Sequence, residues 1–547
     1  MIALIVPGWT TTDENVSLSR MNRFGSLRHR KLFAVLPFFL VLIASGSAQA
    51  QHPGREQLKN QAMEEVEANR KLVQEITDTL FSFSELGYQE YESAKYVTGL
   101  LKKDGFTVKQ GLAGMPTAFV AEWGSGKPVI GFMADIDGLP ETSQTPGVAY
   151  HKPLIDGGPG HGEGHNAGQA VNVTAALAVK KLLQKYKMSG TIRVYPGIAE
   201  ELLGSRTYMA REGLFKDLDI MLCAHVSSNF TTSHGIRGLA LVSTEYTFRG
   251  RSAHGAGSPW MGRSALDAVE LMNAGWNYRR EHLRLQQRSH YVISHGGDQP
   301  NVVPPIASVW YFFRELDYPH VKELHALGTK IANGAAMMTD TTVSERVLGA
   351  TWQGHFSKPV AELLHANIEK VGMPAWSDAD LALAKGIQKE LDAEQIGLKT
   401  EVEKLQGSSA TSSGSDDISE VSWNVPTVVL QYPSNIPNLI GHHWSSAIAM
   451  ATPVAHKGAA AGAKAQAMTA IELFADPALV EAAWEYFREQ TKTTKWESLI
   501  PAGVEPPIHL NVERMKRFNP ELEKLRYDPS RYETYLEQLG VKYPTLR

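Results

Sequence analysis

AVNVTAALAVKKLLQKYKMSGTIRVYP, residues 170–196, holds two periodicities in one stretch. Val171, Ala175, Ala178 and Leu182 recur at the spacing of a helix with one apolar face. TIRVYP, close behind, alternates with a period of two and reads as a strand. The same succession continues on both sides. TAFVAEW and PVIGFMA come before it as short strands; SRTYMAREG follows as a helix ending on Gly213, and DIMLCAH as a buried strand. Strands that alternate with helices imply an α/β fold, a mixed, largely parallel sheet flanked by helices. Further upstream, residues 59–104 read as helical with a break near Gly87.

A unit of different rhythm spans residues 238–352. LALVSTEYTFRG, HYVISHGG, ASVWYFFRE and TTVSERVLG read as strands. Ser264 and Asp267 resemble a capping box ahead of a helix marked by Leu266, Val269, Met272 and Trp276, and VKELHALGTKIANGAAMM reads as a second helix. The order β-α-β-β-α-β predicts a small ferredoxin-like α+β sandwich inserted into the first domain. That divides the chain into 51–237, the insert at 238–352, a resumed first domain at 353–495, and a polar, aromatic tail at 496–547. GSSATSSGSDD, residues 407–417, suits a plain linker as well as a site rim carrying Asp416 and Asp417. Asp476 and Pro477 are the cap and first-turn proline of the helix ALVEAAWEYFREQ.

The chain has 547 residues, more than one simple core holds, and its 43% hydrophobic and 20% charged content is that of a globular protein. A net charge of −4 leaves no basic footprint of the kind nucleic-acid binding requires. Arg23, Arg28, Arg30 and Lys31 precede LFAVLPFFLVLIA and an A-x-A segment ending at Ala50. This is the pattern of a secretory signal over residues 21–50, within a leader of residues 1–50, with Met21 opening the unit. The apolar run is shorter than the roughly 20 residues a membrane span needs and contains Pro37. Export to the periplasm or beyond, without a membrane anchor, is therefore expected. The one cysteine, Cys223, sits in an apolar run and reads as a small buried hydrophobe.

Acidic and imidazole groups collect just after the predicted strands. ADIDGLP offers Asp135 and Asp137, GHGEGH offers His161, Glu163 and His165, and YPGIAEE offers Glu200 and Glu201. AHVSSN adds His225, and GHHW adds His442 and His443. HGEGH lacks the H-E-x-x-H spacing of a zinc helix, and its glycines disfavour a helix, so it reads as a loop. Each motif alone has an ordinary explanation as a turn, a helix start or a strand-end histidine. Jointly they sit where open α/β sheets bind ligands, outside the carboxyl ends of the strands, and they predict a carboxylate/imidazole metal centre. Adjacent Glu200 and Glu201 repel one another unless a cation lies between them. One would hold the ion while the other takes a proton from water.

Eight motifs in order resemble those of the M20 metallopeptidase and amidohydrolase family, in its aminobenzoyl-glutamate utilization branch. They are ADIDGLP, GHGEGHNAG, YPGIAEE, RGRSAHGAGSP, GGDQPNVVP, GSDDISEVSW, GHHW and AHKGAAAGAKAQA. The resemblance implies a catalytic domain with two divalent metal ions (Mn, Zn or Co) and an inserted lid through which the chain forms a homodimer. It assigns Glu163, His165, Glu201, His225 and His442 as ligands, Glu200 as general base and Asp137 as the group that orients a ligand. His254 would stabilise an oxyanion, while Asn301 and Arg314 would contact substrate. Glu163 stands where the family carries a cysteine, which shifts metal preference toward oxygen-loving ions. The implied activity is hydrolysis of the amide bond of a small N-acyl amino acid or an aminobenzoyl-glutamate-like substrate. The alternatives are an exported dipeptidase and a non-catalytic small-amide binding or partner subunit.

Overall fold

The computed structural model describes residues 53–408 and 414–547; the expected signal segment at 21–50 and part of the 407–417 loop lie outside the described residues. The strands are, in chain order, β1 (Thr107–Gln110), β2 (Phe119–Ser125), β3 (Val129–Asp135), β4 (Gly190–Gly197), β5 (Ile220–Ser227) and β6 (Thr231–Thr232). They continue with β7 (Gly235–Arg237), β8 (Ala240–Arg249), β9 (Arg288–His295), β10 (Ile306–Glu315), β11 (Thr342–Thr351), β12 (Gly354–Phe356) and β13 (Thr427–Pro433). The central sheet runs β1-β2-β4-β3-β5-β13-β6. Its four inner strands, β4, β3, β5 and β13, are parallel, and the flanking pairs are antiparallel.

Burial on both faces explains why β3 is apolar throughout. Ile130, Phe132 and Ala134 point into the core with the helices Asn166–Tyr186 and Pro453–Ala475. Val129 and Met133 point the other way, toward Tyr208 and Met209 of the short helix Arg206–Arg211. Cys223 is buried on that second side, as its apolar setting suggests. SRTYMAREG thus forms a shorter helix than its periodicity predicts, and the stretch at 59–104 forms three, Arg55–Ala68, Arg70–Phe83 and Tyr91–Lys103. β1 and β13 escape the sequence reading. TVVLQYP is an apolar run without alternation, a pattern that a buried strand and a buried helix share.

The helix Pro453–Ala475 approaches β13 so closely that glycine is required. A Cβ on Gly458 would lie 2.1 Å from the Pro433 carbonyl oxygen, and one on Gly462 would lie 2.7 Å from Tyr432 Cβ. Gly458→Ala is expected to push helix and strand apart and destabilise the protein by about 1–3 kcal/mol, as overpacking does. Chemical denaturation reads this directly; an unchanged midpoint and slope would refute the close-contact argument.

Strands β8 to β11 form a separate antiparallel sheet in the order β11-β8-β10-β9. With the helices Ala265–Arg279 and Tyr318–Thr339 they follow one another as β-α-β-β-α-β. Ser264 caps the first of these helices by accepting the Asp267 N–H. Trp276, Val309, Tyr311, Phe313 and Leu324 fill the space between sheet and helices. After β11 the chain returns to the central sheet, where β13 lies beside β5.

Residues beyond 496 lie against the rest of the chain. Met515 and Leu522 of the helix Val512–Leu525 pack on Leu86 and Ile155. The backbone N–H of Tyr535 donates to buried Asp78 (2.9 Å), which also meets His456 (2.6 Å) and Gln74 (2.6 Å). Asn511 donates to the Gly87 carbonyl (3.1 Å). No described helix is long and apolar enough to cross a membrane.

Candidate metal centre

The candidate ligands come from the carboxyl ends of the four parallel strands, the position at which open sheets bind ligands. Asp135 ends β3 and Asp137 follows it; β4 leads into the turn Glu200–Leu202; His225 lies near the end of β5; His442 follows β13. HGEGH is a loop, and its last histidine directly precedes the helix Asn166–Tyr186. Gly164 has φ +86°, and a Cβ there would sit 2.3 Å from Met450 Sδ, so this turn of the loop needs glycine.

Backbone strain marks the same place. Ala199 and Leu203, which bracket the two glutamates, both have left-handed φ, at 47° and 52°. Such conformations persist where surrounding contacts over-determine them. Here buried Glu90 accepts the Ala199 N–H (2.7 Å), and Asp137 accepts the Glu201 N–H (3.1 Å).

The side chains converge. Each of Glu163, His165, Glu200 and Glu201 offers an atom within 4.8 Å of the others, and Asp135, His165 and His225 form an overlapping set. His442 Nε2 lies 3.0 Å from Glu163 and 3.6 Å from Glu201, and His225 Nε2 lies 3.6 Å from Glu163. Of the neighbouring histidines, His443 turns away to cap the short helix Trp444–Ala447. His161 also turns away, with Nε2 3.0 Å from the Leu80 carbonyl, and burial lowers its pKa to about 3.

His165 Nδ1 sits 3.1 Å from the Asp137 carbonyl oxygen and 3.3 Å from its carboxylate. As a donor there, Nδ1 leaves the lone pair of Nε2 facing the cluster, the arrangement that second-shell acceptors impose on metal-binding histidines. His165 Nε2, Glu201 Oε1 and Asp135 Oδ2 are buried without a hydrogen-bond partner among the described residues. Burial raises the pKa of Glu200, and the carboxylates of Asp416, Asp135, Glu201 and Glu163 raise it further. Glu201 is raised by burial and then by Glu163. Burial would raise Glu163 too, but His442, His225 and His165 hold it well below the usual range. Orphaned donor atoms and mutually repelling carboxylates in one small volume suit a divalent cation. The residues present therefore fit the metal that their sequence motifs imply.

Two buried residues of this architecture have no place in the sequence reading. Arg206, fully buried, donates to Asp135 and Asp417 and lies 3.4 Å from Asp416. It ties the end of β3 to the loop after residue 407. Its signal is a cation as the first residue of a helix, where the helix dipole disfavours positive charge. Glu90 is the second, a buried carboxylate with nothing in its local sequence to distinguish it.

The remaining candidates lie on or beside the second sheet. His254 is exposed, its Nδ1 accepting the Ala256 and Gly257 N–H groups, and Asn301 is exposed beside Gln299. Neither makes a hydrogen bond or ion pair with the cluster among the described residues. Arg314, on β10, is half-buried; burial lowers its pKa while the Glu200 charge opposes that shift.

The sequence pattern of peptidase family M20/M25/M40 matches residues 131–465. The chain is 33% identical over 467 residues to one of the subunits of p-aminobenzoyl-glutamate hydrolase from Escherichia coli, covering 81% of this chain and 97% of that one. It is 25% identical over 449 residues to the Xaa-Arg dipeptidase of Mus musculus, covering 79% and 93%. The crystal structure of a protein assigned as an aminohydrolase from methicillin-resistant Staphylococcus aureus superposes with a TM-score of 0.50 at 18% identity, covering 76% of this chain and 99% of that one. That likeness concerns the fold.

Proposed function

The chain belongs to peptidase family M20/M25/M40, hydrolases of amide bonds, and from that membership we propose an exported, metal-dependent amidohydrolase acting on small N-acyl amino acids or aminobenzoyl-glutamate-like substrates. One observation carries the reading: acidic and imidazole atoms, several buried and unpartnered, converge from the ends of four parallel strands. Glu163, His165, Glu201, His225 and His442 would hold two divalent ions, of Mn, Zn or Co. Bound there, such ions polarise an amide carbonyl and make water more acidic.

The chain's own groups do the rest. Asp137 orients His165 and the Glu200–Glu201 turn through the contacts described above. Glu200 takes a proton from the attacking water and returns it to the leaving amine nitrogen. Arg314, whose charge interacts with that of Glu200, would offer a cation suited to a substrate carboxylate. His254 and Asn301 would reach the substrate in a homodimer formed through the second sheet, with His254 donating to the oxyanion. The signal pattern at residues 21–50 supports export.

Elemental mass spectrometry of the chain purified from residue 51 tests the centre. About two divalent ions per chain are expected, as for a two-metal hydrolase, and Glu163→Ala is expected to lower that content. A chain that binds no ion after incubation with Mn, Co or Zn would overturn the reading and favour a non-catalytic binding protein.

A further inference from the structure

The second sheet has two faces, and one of them points toward the Glu200–Glu201 turn. On β10, Ala307, Val309, Tyr311 and Phe313 pack under the helices. The alternate residues Trp310, Phe312 and Arg314 therefore share the opposite face. Phe312 stands opposite Ser243 on β8, and Ser243 stands opposite Gly349 on β11. Trp310 Nε1 donates to Ser243 Oγ (2.8 Å), which confirms the common side. At Gly349 the sheet touches the catalytic-site turn. A Cβ there would lie 2.5 Å from the Leu203 carbonyl oxygen and 2.8 Å from that of Leu202.

A row of side chains runs outward along this face. Arg314 comes first, its Nε buried without a hydrogen-bond partner and its guanidinium 5.7 Å from the Phe312 ring centre. Trp310 lies edge-on to Phe312 at 5.9 Å, and His290 lies 5.9 Å from Phe312 on the other side. His290, Tyr291, Val292, Trp310 and Phe312 line an apolar bay of about 220 Å³. Residues two apart on a strand are separated by about 7 Å. That is close to the distance between the carboxylate of an amino acid and the far end of a large side chain.

We propose that this aromatic bay is the subsite for the side chain of the leaving amino acid, and that the preferred substrates are N-acyl amino acids with an aromatic or large aliphatic side chain. The inference rests on the amidohydrolase reading above. The order of groups sets the polarity: carbonyl at Glu200, carboxylate at Arg314, side chain on Phe312 and Trp310. The acyl group lies on the opposite side of the scissile bond, away from the bay. An acidic side chain such as glutamate's would lose its hydration against Val292, Trp310 and Phe312. Of the cations on this face, Arg314 would be taken by the substrate carboxylate, and Arg288, opposite it on β9, donates to the carbonyls of Leu285, Gln286 and Gln287.

The test uses a matched pair of substrates, p-aminobenzoyl-phenylalanine and p-aminobenzoyl-glutamate, with the Mn-loaded chain from residue 51. The phenylalanine compound is expected to have a kcat/KM at least about tenfold higher, the scale on which apolar pockets discriminate. Phe312→Ala and Trp310→Ala are expected to shrink that ratio about tenfold or more, and Phe312→Leu to shrink it less. Equal rates, or a preference for glutamate that neither variant alters, would overturn the subsite. So would variants that weaken dimerisation but leave the ratio unchanged, since a second copy of the chain would then cover the bay. If neither compound is hydrolysed, the amidohydrolase reading fails, and calorimetric binding of N-acetyl-phenylalanine against N-acetyl-glutamate decides the subsite separately. Tighter binding of the phenylalanine compound, lost in Phe312→Ala, would still uphold it; equal or weaker binding would overturn it.

Discussion

Glu200→Gln is expected to lower kcat by about 10²- to 10⁴-fold, the range that positioned proton transfer supplies. The substitution keeps the size of the side chain and removes its ability to accept a proton. Glu200 is buried, and burial and then Asp416, Asp135, Glu201 and Glu163 push its pKa upward. That direction suits a base that must take a proton and then release it near neutral pH. Because Glu201 and Glu163 are assigned to the ions and Glu200 is not, the variant should keep the metal content of the parent. Paired measurements of kcat and bound metal separate the roles. A variant with its full metal content and an activity within about threefold of the parent would remove Glu200 from proton transfer. A variant that lost its metal would make Glu200 a ligand instead.

Arg206→Met should produce the largest loss of stability of any single change at the site. The arginine is buried among Asp135, Asp416 and Asp417, and its fork bridges the first and the last of these. A buried ion pair is not by itself a source of stability, because both charges give up their hydration. Removing one partner is costly, about 3–5 kcal/mol, because the other charges remain buried and uncompensated. Asp417 also accepts the backbone N–H groups of Ser205 (3.1 Å) and Arg206 (2.9 Å), so the end of the loop after residue 407 would loosen with it. Arg206→Lys should recover only part of the loss, since one ammonium cannot serve both carboxylates with the geometry of a planar fork. Denaturant unfolding of the two variants checks this. If Arg206→Met unfolded at the parent's midpoint, the buried cation would have no architectural role.

The fold was largely readable because its evidence is local. In residues 170–196 the change from a helical to a strand period lies within one short stretch, and the structure has the helix Asn166–Tyr186 followed by β4 there. β13 was not readable, since an unalternating apolar run is ambiguous and its partner β5 lies far away in the chain. The tail gave no signal either. Its anchors, such as Tyr535 on Asp78, Met515 on Leu86 and Tyr543 on Asp380, are contacts with residues far away in the chain.

The candidate site divides in the same way. Sequence could name the acidic and imidazole residues, because ligand types cluster in motifs at predicted strand ends. Residue type alone could not say which of two adjacent histidines turns inward, although the family resemblance picks His442; the structure shows His442 beside Glu163 while His443 caps a helix. Nor could sequence show Arg206 crossing between β3 and the loop after residue 407, or Arg314 sharing a face with an aromatic row. Residue spacing records which side of an element a side chain occupies. What that side meets depends on strand order, register and the packing of one sheet against a turn of another, and those are set when distant segments come together.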